Sequence, residues 1–346
     1  MTQDGASPQE LGLPDRVRAL LADLGVAGEV TDIAPLEGGV SSDIARVTVD
    51  GRLYCAKFAL PRLRVAADWR APVGRSRAEF AWLRVAEQVA PGAAPRMVGY
   101  SERHLGFAME YVGGPGVVLW KKELLAGRVD PAKGAAVGAV LGRIHRAGAA
   151  ASFDRAPFGN APDFHALRVE PYLLASARVH SDLAPRLSAL AEALDTAGAR
   201  PGATLVHGDV SPKNILIRPA GPVLLDAECA TMGDAAFDLA FCLNHLALKS
   251  VHLPAAREAL ADTAARLWSA YRGAVDWEDA GALEARVAAL LPALMLARVD
   301  GKSPVEYLAP AAQDTVRALS RPMIVDPPGT IGDVFSRIGT HQGASA

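Results

Sequence analysis

The sequence predicts an α+β protein in which a small antiparallel β lobe precedes a larger helical one. Three observations carry that prediction. Short apolar segments separated by turn signals fill the stretch from Val30 to Val112, the break Gly113-Gly114-Pro115-Gly116 closes it, and from Pro131 onward the chain is alanine-rich with helical spacing. The expected division is a first lobe over 1–112, a second over 113–326 and a polar tail over 327–346.

A first helix ends near Gly25, and Val30 to Val49 reads as strand, turn, strand around the Gly-rich break Glu37-Gly38-Gly39-Val40-Ser41-Ser42. In the next strand, Leu53 to Phe58, period-2 alternation puts Leu53, Cys55 and Lys57 on one face and Tyr54, Ala56 and Phe58 on the other. A Pro- and Arg-rich loop, Pro61 to Arg75, leads to a helix from about Arg77 to Val89. Glu79 shares that helix's apolar face with Trp82, Leu83 and Ala86, so its carboxylate is expected to look inward. Arg96 to Tyr100 and Leu105 to Val112 complete five strands. Val137, Val140, Leu141 and Ile144 then form the core stripe of a long helix that His145 closes, where a satisfied core histidine is the plainer reading. Leu187 to Ala197 is a further helix, Thr204 to Leu225 breaks into short strands, and helical spacing returns from Asp234 to about Leu319.

Composition narrows the function. The 346 residues are 50% hydrophobic, enough for a large core, and 36 Lys and Arg nearly balance 38 Asp and Glu. No whole-molecule field points to nucleic acid or an anionic membrane, so a small molecule is the expected partner. Apolar stretches are broken by charge or Pro before the ~18 residues a spanning helix needs, so no membrane segment is expected. Cys55, Cys229 and Cys242 lie far apart with no C-x-x-C pair, which reads as a reducing cytoplasm.

The chemistry concentrates in Val206-His207-Gly208-Asp209-Val210-Ser211-Pro212-Lys213-Asn214, a polar loop entering the apolar run Ile215 to Ile217. Past a turn, Val223-Leu224-Leu225-Asp226-Ala227-Glu228 reads as a strand with two carboxylates at i and i+2, on one side. If the two segments pair as a hairpin, Asn214 comes near Asp226 and Glu228, and three oxygen ligands converge beside Asp209. Phosphoryl transfer asks for these parts, because Mg²⁺ takes a few protein oxygens plus phosphate oxygens while one carboxylate orients the attacking hydroxyl. Asp209 can take that proton. Lys57 can hold phosphates with Glu79 holding Lys57, and Gly38, Gly39 and Ser41 would let backbone amides approach ATP.

Each part by itself has a plainer reading. A Gly-Gly turn is usually only a hairpin, a strand Lys an edge charge, Glu228 a surface residue, and Asp238 in Phe237 to Leu243 a helix N-cap. Their order along the chain is what argues for function.

His207-Gly208-Asp209 with Asn214, then Asp226-Ala227-Glu228 and Phe237-Asp238-Leu239, resembles the aminoglycoside phosphotransferase and choline kinase superfamily over roughly Ile33 to Leu308. The resemblance implies a protein-kinase-like bilobal fold, ATP and Mg²⁺ as cofactors, and Asp209 as catalytic base. It also implies Asn214 and Asp226 as metal ligands, Lys57 as phosphate contact, and Met109-Glu110-Tyr111-Val112 as the adenine-binding hinge. A narrower similarity is to 5-methylthioribose kinases, carried by Asp226-Ala227-Glu228, Ala56-Lys57-Phe58-Ala59-Leu60-Pro61-Arg62-Leu63-Arg64, Trp69 and Met109-Glu110-Tyr111. Those kinases lack an Asn at the place of Asn214 and carry paired arginines where this chain has only Arg298.

The expected activity is transfer of the ATP γ-phosphate to a hydroxyl of a sugar-like or amino-alcohol metabolite, with Arg298 or Lys302 touching the acceptor. An antibiotic phosphotransferase and a nucleotide-binding pseudokinase remain the alternatives. A protein kinase proper is disfavoured by the lack of Asp-Phe-Gly and Ala-Pro-Glu segments.

Overall fold

Alternating strands and one inward-facing helix build the first lobe of the computed structural model, which describes residues 12–36, 41–62, 64 and 72–341. The strands β1 (Val30–Pro35), β2 (Ser42–Val49), β3 (Arg52–Ala59), β4 (Met97–Ser101) and β5 (Gly106–Glu110) form an antiparallel sheet of order β1-β2-β3-β5-β4. The alternation expected of β3 holds. Ala56 and Phe58 pack under the helix Leu13–Asp23, while Cys55 faces the helix Arg75–Val89 and the main core.

The chain crosses to the second lobe through β6 (Val118–Leu119), which pairs with β8 (Ile215–Arg218), itself joined to β9 (Gly221–Leu224). A separate pair joins β7 (Thr204–Val206) to β10 (Thr231–Gly233). Around these small sheets pack the helices Pro131–Ala149, Ala235–His252, Arg257–Arg272, Ala280–Asp300 and Pro310–Val325. The architecture is thus the α+β one expected, with the His207-Gly208-Asp209 loop where the strands of the second lobe meet its central helix, Ala235–His252.

Two expectations are corrected. The segment read as a polar tail contains the helix Ile331–Thr340, started by a capping box between Thr330 and Asp333. Ile331, Val334, Phe335 and Ile338 stand at i, i+3, i+4 and i+7 and bury that stripe in the core, a pattern short enough to be masked by its polar neighbours. The helix Ala280–Asp300 is, by length and composition, apolar enough to cross a membrane despite Arg286 and Pro292 within it, so those interruptions do not by themselves exclude a span. Most of its apolar window, 61%, is buried inside the protein, which accounts for the composition of a central core helix.

Candidate active site

His207 and Gly208 leave β7 without strand partners, so their amides need acceptors. Asp238, fully buried on the helix Ala235–His252, supplies both: the His207 amide donates to Oδ2 at 2.7 Å and the Gly208 amide to Oδ1 at 2.8 Å. The expectation of Asp238 as an N-cap is therefore corrected, since Asp234 caps that helix through the Ala236 amide. His145 braces Asp238 at 3.2 Å and bonds the Tyr271 hydroxyl at 2.8 Å, as a satisfied core histidine. Gly208 has φ +79°, and a Cβ there would stand 2.7 Å from the Cβ of Cys229. No other residue fits that turn. The Asp209 amide donates to His207 Nδ1, so the ring proton sits on Nε2, which donates to the Leu225 carbonyl. Burial holds the His207 pKa below its ordinary value, and the ring is neutral.

The loop delivers Asp209 to a buried position 2% exposed. Arg168 Nη2 lies 2.9 Å and Lys213 Nζ 3.2 Å from Asp209 Oδ2, and the Asn214 side-chain amide donates to the Asp209 carbonyl at 3.0 Å. Burial would raise the Asp209 pKa, but Lys213 and Arg168 outweigh it and hold the carboxyl below its ordinary value. A carboxylate kept ionised by two cations is a weak base. It is suited to orienting a hydroxyl and taking its proton late in the reaction.

The hairpin of β8 and β9 forms, and the Leu225 amide donates to the Asn214 carbonyl at 2.9 Å, which sets Asn214 beside Asp226. β9 ends at Leu224, however, and Asp226 adopts φ +68°, so strand alternation does not extend to Glu228. The two carboxylates part company for this reason. Asp226 is one-quarter exposed and pairs with Lys57, whereas Glu228 is buried and accepts from Arg75 Nε at 2.9 Å. Glu228, expected as a third metal ligand, is engaged by a guanidinium.

Lys57 is 3% exposed and bonds Glu79 at 2.6 Å as well as Asp226, so the ion pair expected from strand and helix periodicity is present. Burial works against the Lys57 charge, but Asp226, Glu79 and Glu228 together raise its pKa above the ordinary lysine value. For Glu79 burial prevails over Lys57 and pushes the pKa up to about 7. Arg75 adds a second tie between the lobes: besides Glu228, it donates to the carbonyls of Ser41 at 2.6 Å and Leu60 at 2.9 Å. Ser41 is thereby fixed at the end of the Gly-rich segment, whose Gly38 and Gly39 lie outside the described residues.

The remaining expected residues divide. Glu110 ends β5 with its side chain exposed and paired to Arg96 at 2.9 Å. The amides of Glu110 and Tyr111 donate to the carbonyls of Arg96 and Leu53, which leaves Val112 as the next amide along the hinge. Arg298 lines a pocket beside Lys213, but Lys302 is exposed and paired with Glu170 at 2.8 Å, away from that pocket. Sequence reasoning missed Arg168, Arg75 and Lys213. The i, i+4 spacing of Asp209 and Lys213 was a usable signal, whereas Arg168, in the π-helical segment His165–Leu174, reaches Asp209 only through tertiary packing.

Comparison with known proteins bears on the family and the fold. The model of the phosphotransferase enzyme family matches residues 32–274. Among solved structures, a choline/ethanolamine kinase family protein from Mesorhizobium loti aligns with TM-score 0.57 at 16% identity, covering 95% of this chain and 100% of that one. An amicoumacin kinase bound to AMP-PNP, Ca²⁺ and its antibiotic aligns with TM-score 0.57 at 13% identity, covering 92% and 96%. An aminoglycoside phosphotransferase from Alicyclobacillus acidocaldarius gives 0.52 at 15% identity, covering 93% and 96%. No curated protein matched the chain.

Proposed function

The chain belongs to the phosphotransferase enzyme family, and from that premise we propose that it transfers the γ-phosphate of ATP to a hydroxyl of a small metabolite, with Asp209 orienting the acceptor. The single observation that supports this most is the buried, ionised Asp209 in a loop that also carries Asn214, whose backbone is bonded beside Asp226.

The residues fit a magnesium nucleotide. Asp226, turned out of the strand at φ +68° and partly exposed, and the side-chain oxygen of Asn214, whose amide nitrogen is already engaged, are the oxygens that would hold the ion. The metal would neutralise charge on the transferring phosphoryl group. Lys57 is held by Glu79 where it can bind phosphate oxygens, and Arg75 fixes Ser41 at the edge of the same cleft. The hinge near Val112 is where a base would sit.

For the acceptor, a sugar-like hydroxyl compound is favoured over an amino alcohol or an aminoglycoside. Cationic acceptors would be repelled by the cations Lys121, Lys213, Lys249 and Arg298 that line the pocket next to Asp209. The reading is tested by acceptor-dependent ADP release with Mg²⁺. Asp209→Asn is expected to lower kcat about 10²- to 10⁴-fold while nucleotide still binds. Wild-type turnover in that variant removes the role, and binding of nucleotide with no turnover in the wild type on any acceptor would mark a pseudokinase instead.

A further inference from the structure

Beside Lys213, whose ammonium touches Asp209, a small, half-enclosed pocket opens between the helix Ala235–His252 and the segment after Ala280–Asp300. Asp238, Cys242, His245 and Lys249 fall at i, i+4, i+7 and i+11 on that first helix. One helix face therefore carries the brace of the catalytic loop at one end and two basic residues of the pocket at the other.

The pocket has more positive charge than negative. Of its cations, Lys121 is paired with Glu306 and Lys213 with Asp209. Lys249 and Arg298 have no carboxylate partner among the described residues. Lys249 is fully buried, and its ammonium has only the His245 carbonyl at 3.4 Å and the Tyr307 ring face at 4.9 Å. Arg298 is held by Ser303 and the Tyr172 hydroxyl, while its Nε is enclosed with no acceptor among the described residues. The Tyr307 hydroxyl, also in the pocket, is likewise enclosed and without a partner. Buried donors and cations are ordinarily paired, so three unmatched ones around one small pocket call for a ligand.

We propose that this pocket binds an oxyanion of the acceptor, a carboxylate or a phosphate, against Lys249, Arg298 and the Tyr307 hydroxyl, while the acceptor's hydroxyl lies at Asp209. The assignment rests on the kinase reading above and names the class of its substrate: a hydroxylated acid or a phosphorylated alcohol. Electrostatics agrees. Burial, with Lys121 and Arg298 nearby, pushes the Lys249 pKa down to about 7, and an anion in contact would draw the proton back. His245, neutral under the same influences, adds no charge of its own.

Two measurements on the full-length chain test the proposal. In the first, the protein saturated with AMP-PNP and Mg²⁺, so that the nucleotide site is filled, is titrated calorimetrically with malonate and with inorganic phosphate. Saturable binding is expected for at least one, at least about tenfold weaker in Lys249→Met. Tyr307→Phe, which retains the ring, is expected to weaken it less. No binding in the wild type, or equal binding in Lys249→Met, overturns the pocket assignment. In the second, ADP release is followed with glycerol, serinol, glycerate and glycerol 3-phosphate, which share a hydroxylated three-carbon frame and differ in charge. Lower KM for glycerate points to a carboxylate, for glycerol 3-phosphate to a phosphate. A preference for glycerol or serinol overturns the anionic class while leaving the kinase reading intact.

Discussion

The two ends of the cleft hold opposite surpluses of charge. At the end proposed for the nucleotide, Lys57 and Arg75 stand among Glu79, Asp226 and Glu228, so each of these cations has a carboxylate and one carboxylate remains partly exposed. At the end proposed for the acceptor, the carboxylates paired with Lys121, Lys213, Lys249 and Arg298 are, among the described residues, Glu306 and Asp209. A site with spare carboxylate suits a metal cation, and one with spare cations suits an anion. The charge a folded protein leaves unmatched in a cleft is thus a statement about what enters it.

The comparison is most easily broken by removing one cation from each end. Arg75→Met leaves Glu228 buried without its guanidinium, and a loss of about 3–5 kcal/mol in unfolding free energy is expected from urea denaturation. A change below about 1 kcal/mol would mean that Glu228 is not held in place by that pair.

Lys249→Met is expected to have the opposite sign. It removes a buried cation with no carboxylate partner and should stabilise the protein by at least about 1 kcal/mol near pH 6. The pH dependence follows from linkage. The folded-state pKa of about 7 lies below the ordinary lysine value, so both folded and unfolded chains carry the proton below pH 7 and the folded chain bears the full cost. Between pH 7 and the unfolded pKa, ~10.4, the unfolded state binds more protons and the cost is progressively relieved. The variant's advantage should therefore shrink as pH rises through that window. Lys121, Arg298 and Cys242 face Lys249 along with Glu306, so the difference between variant and wild type, rather than either curve, is the quantity to follow. An advantage that grew with pH would contradict the unmatched-cation description.

The smallest effect is expected at Lys302. Its exposed pair with Glu170 should contribute less than about 1 kcal/mol, and Lys302→Ala should leave the acceptor KM within about twofold of wild type. A larger rise in KM would return Lys302 to the acceptor site.

Much of this arrangement was legible because it is local. Period-2 alternation in β3 and the helix period around Glu79 aimed Lys57 and Glu79 at each other, and the His207-Gly208-Asp209 loop stood out because a polar run entering an apolar strand has few structural reasons to exist. The reading went wrong where one backbone angle intervened: Asp226 at φ +68° ended the alternation, so Glu228 pairs with Arg75 rather than standing free beside Asp226. Asp238 looked like a cap because its neighbourhood is a helix start, yet Asp234 took that work and freed Asp238 to hold the loop.

The sequence by itself determined the class of fold, the order of the residues proposed for phosphoryl transfer, and the pair Lys57–Glu79, because each depends on periodicity or on spacing within a short segment. Only tertiary structure decided which charges are matched. Arg168 meets Asp209 across 41 positions of sequence (209 − 168), and Arg75 meets Glu228 across 153. Among the described residues Lys249 is left with no carboxylate partner by the way its helix packs, and the whole-chain count, in which acids and bases nearly balance, could not show it. Net charge is a property of composition, whereas an unpaired buried charge is a property of position, and position between distant segments is what folding supplies.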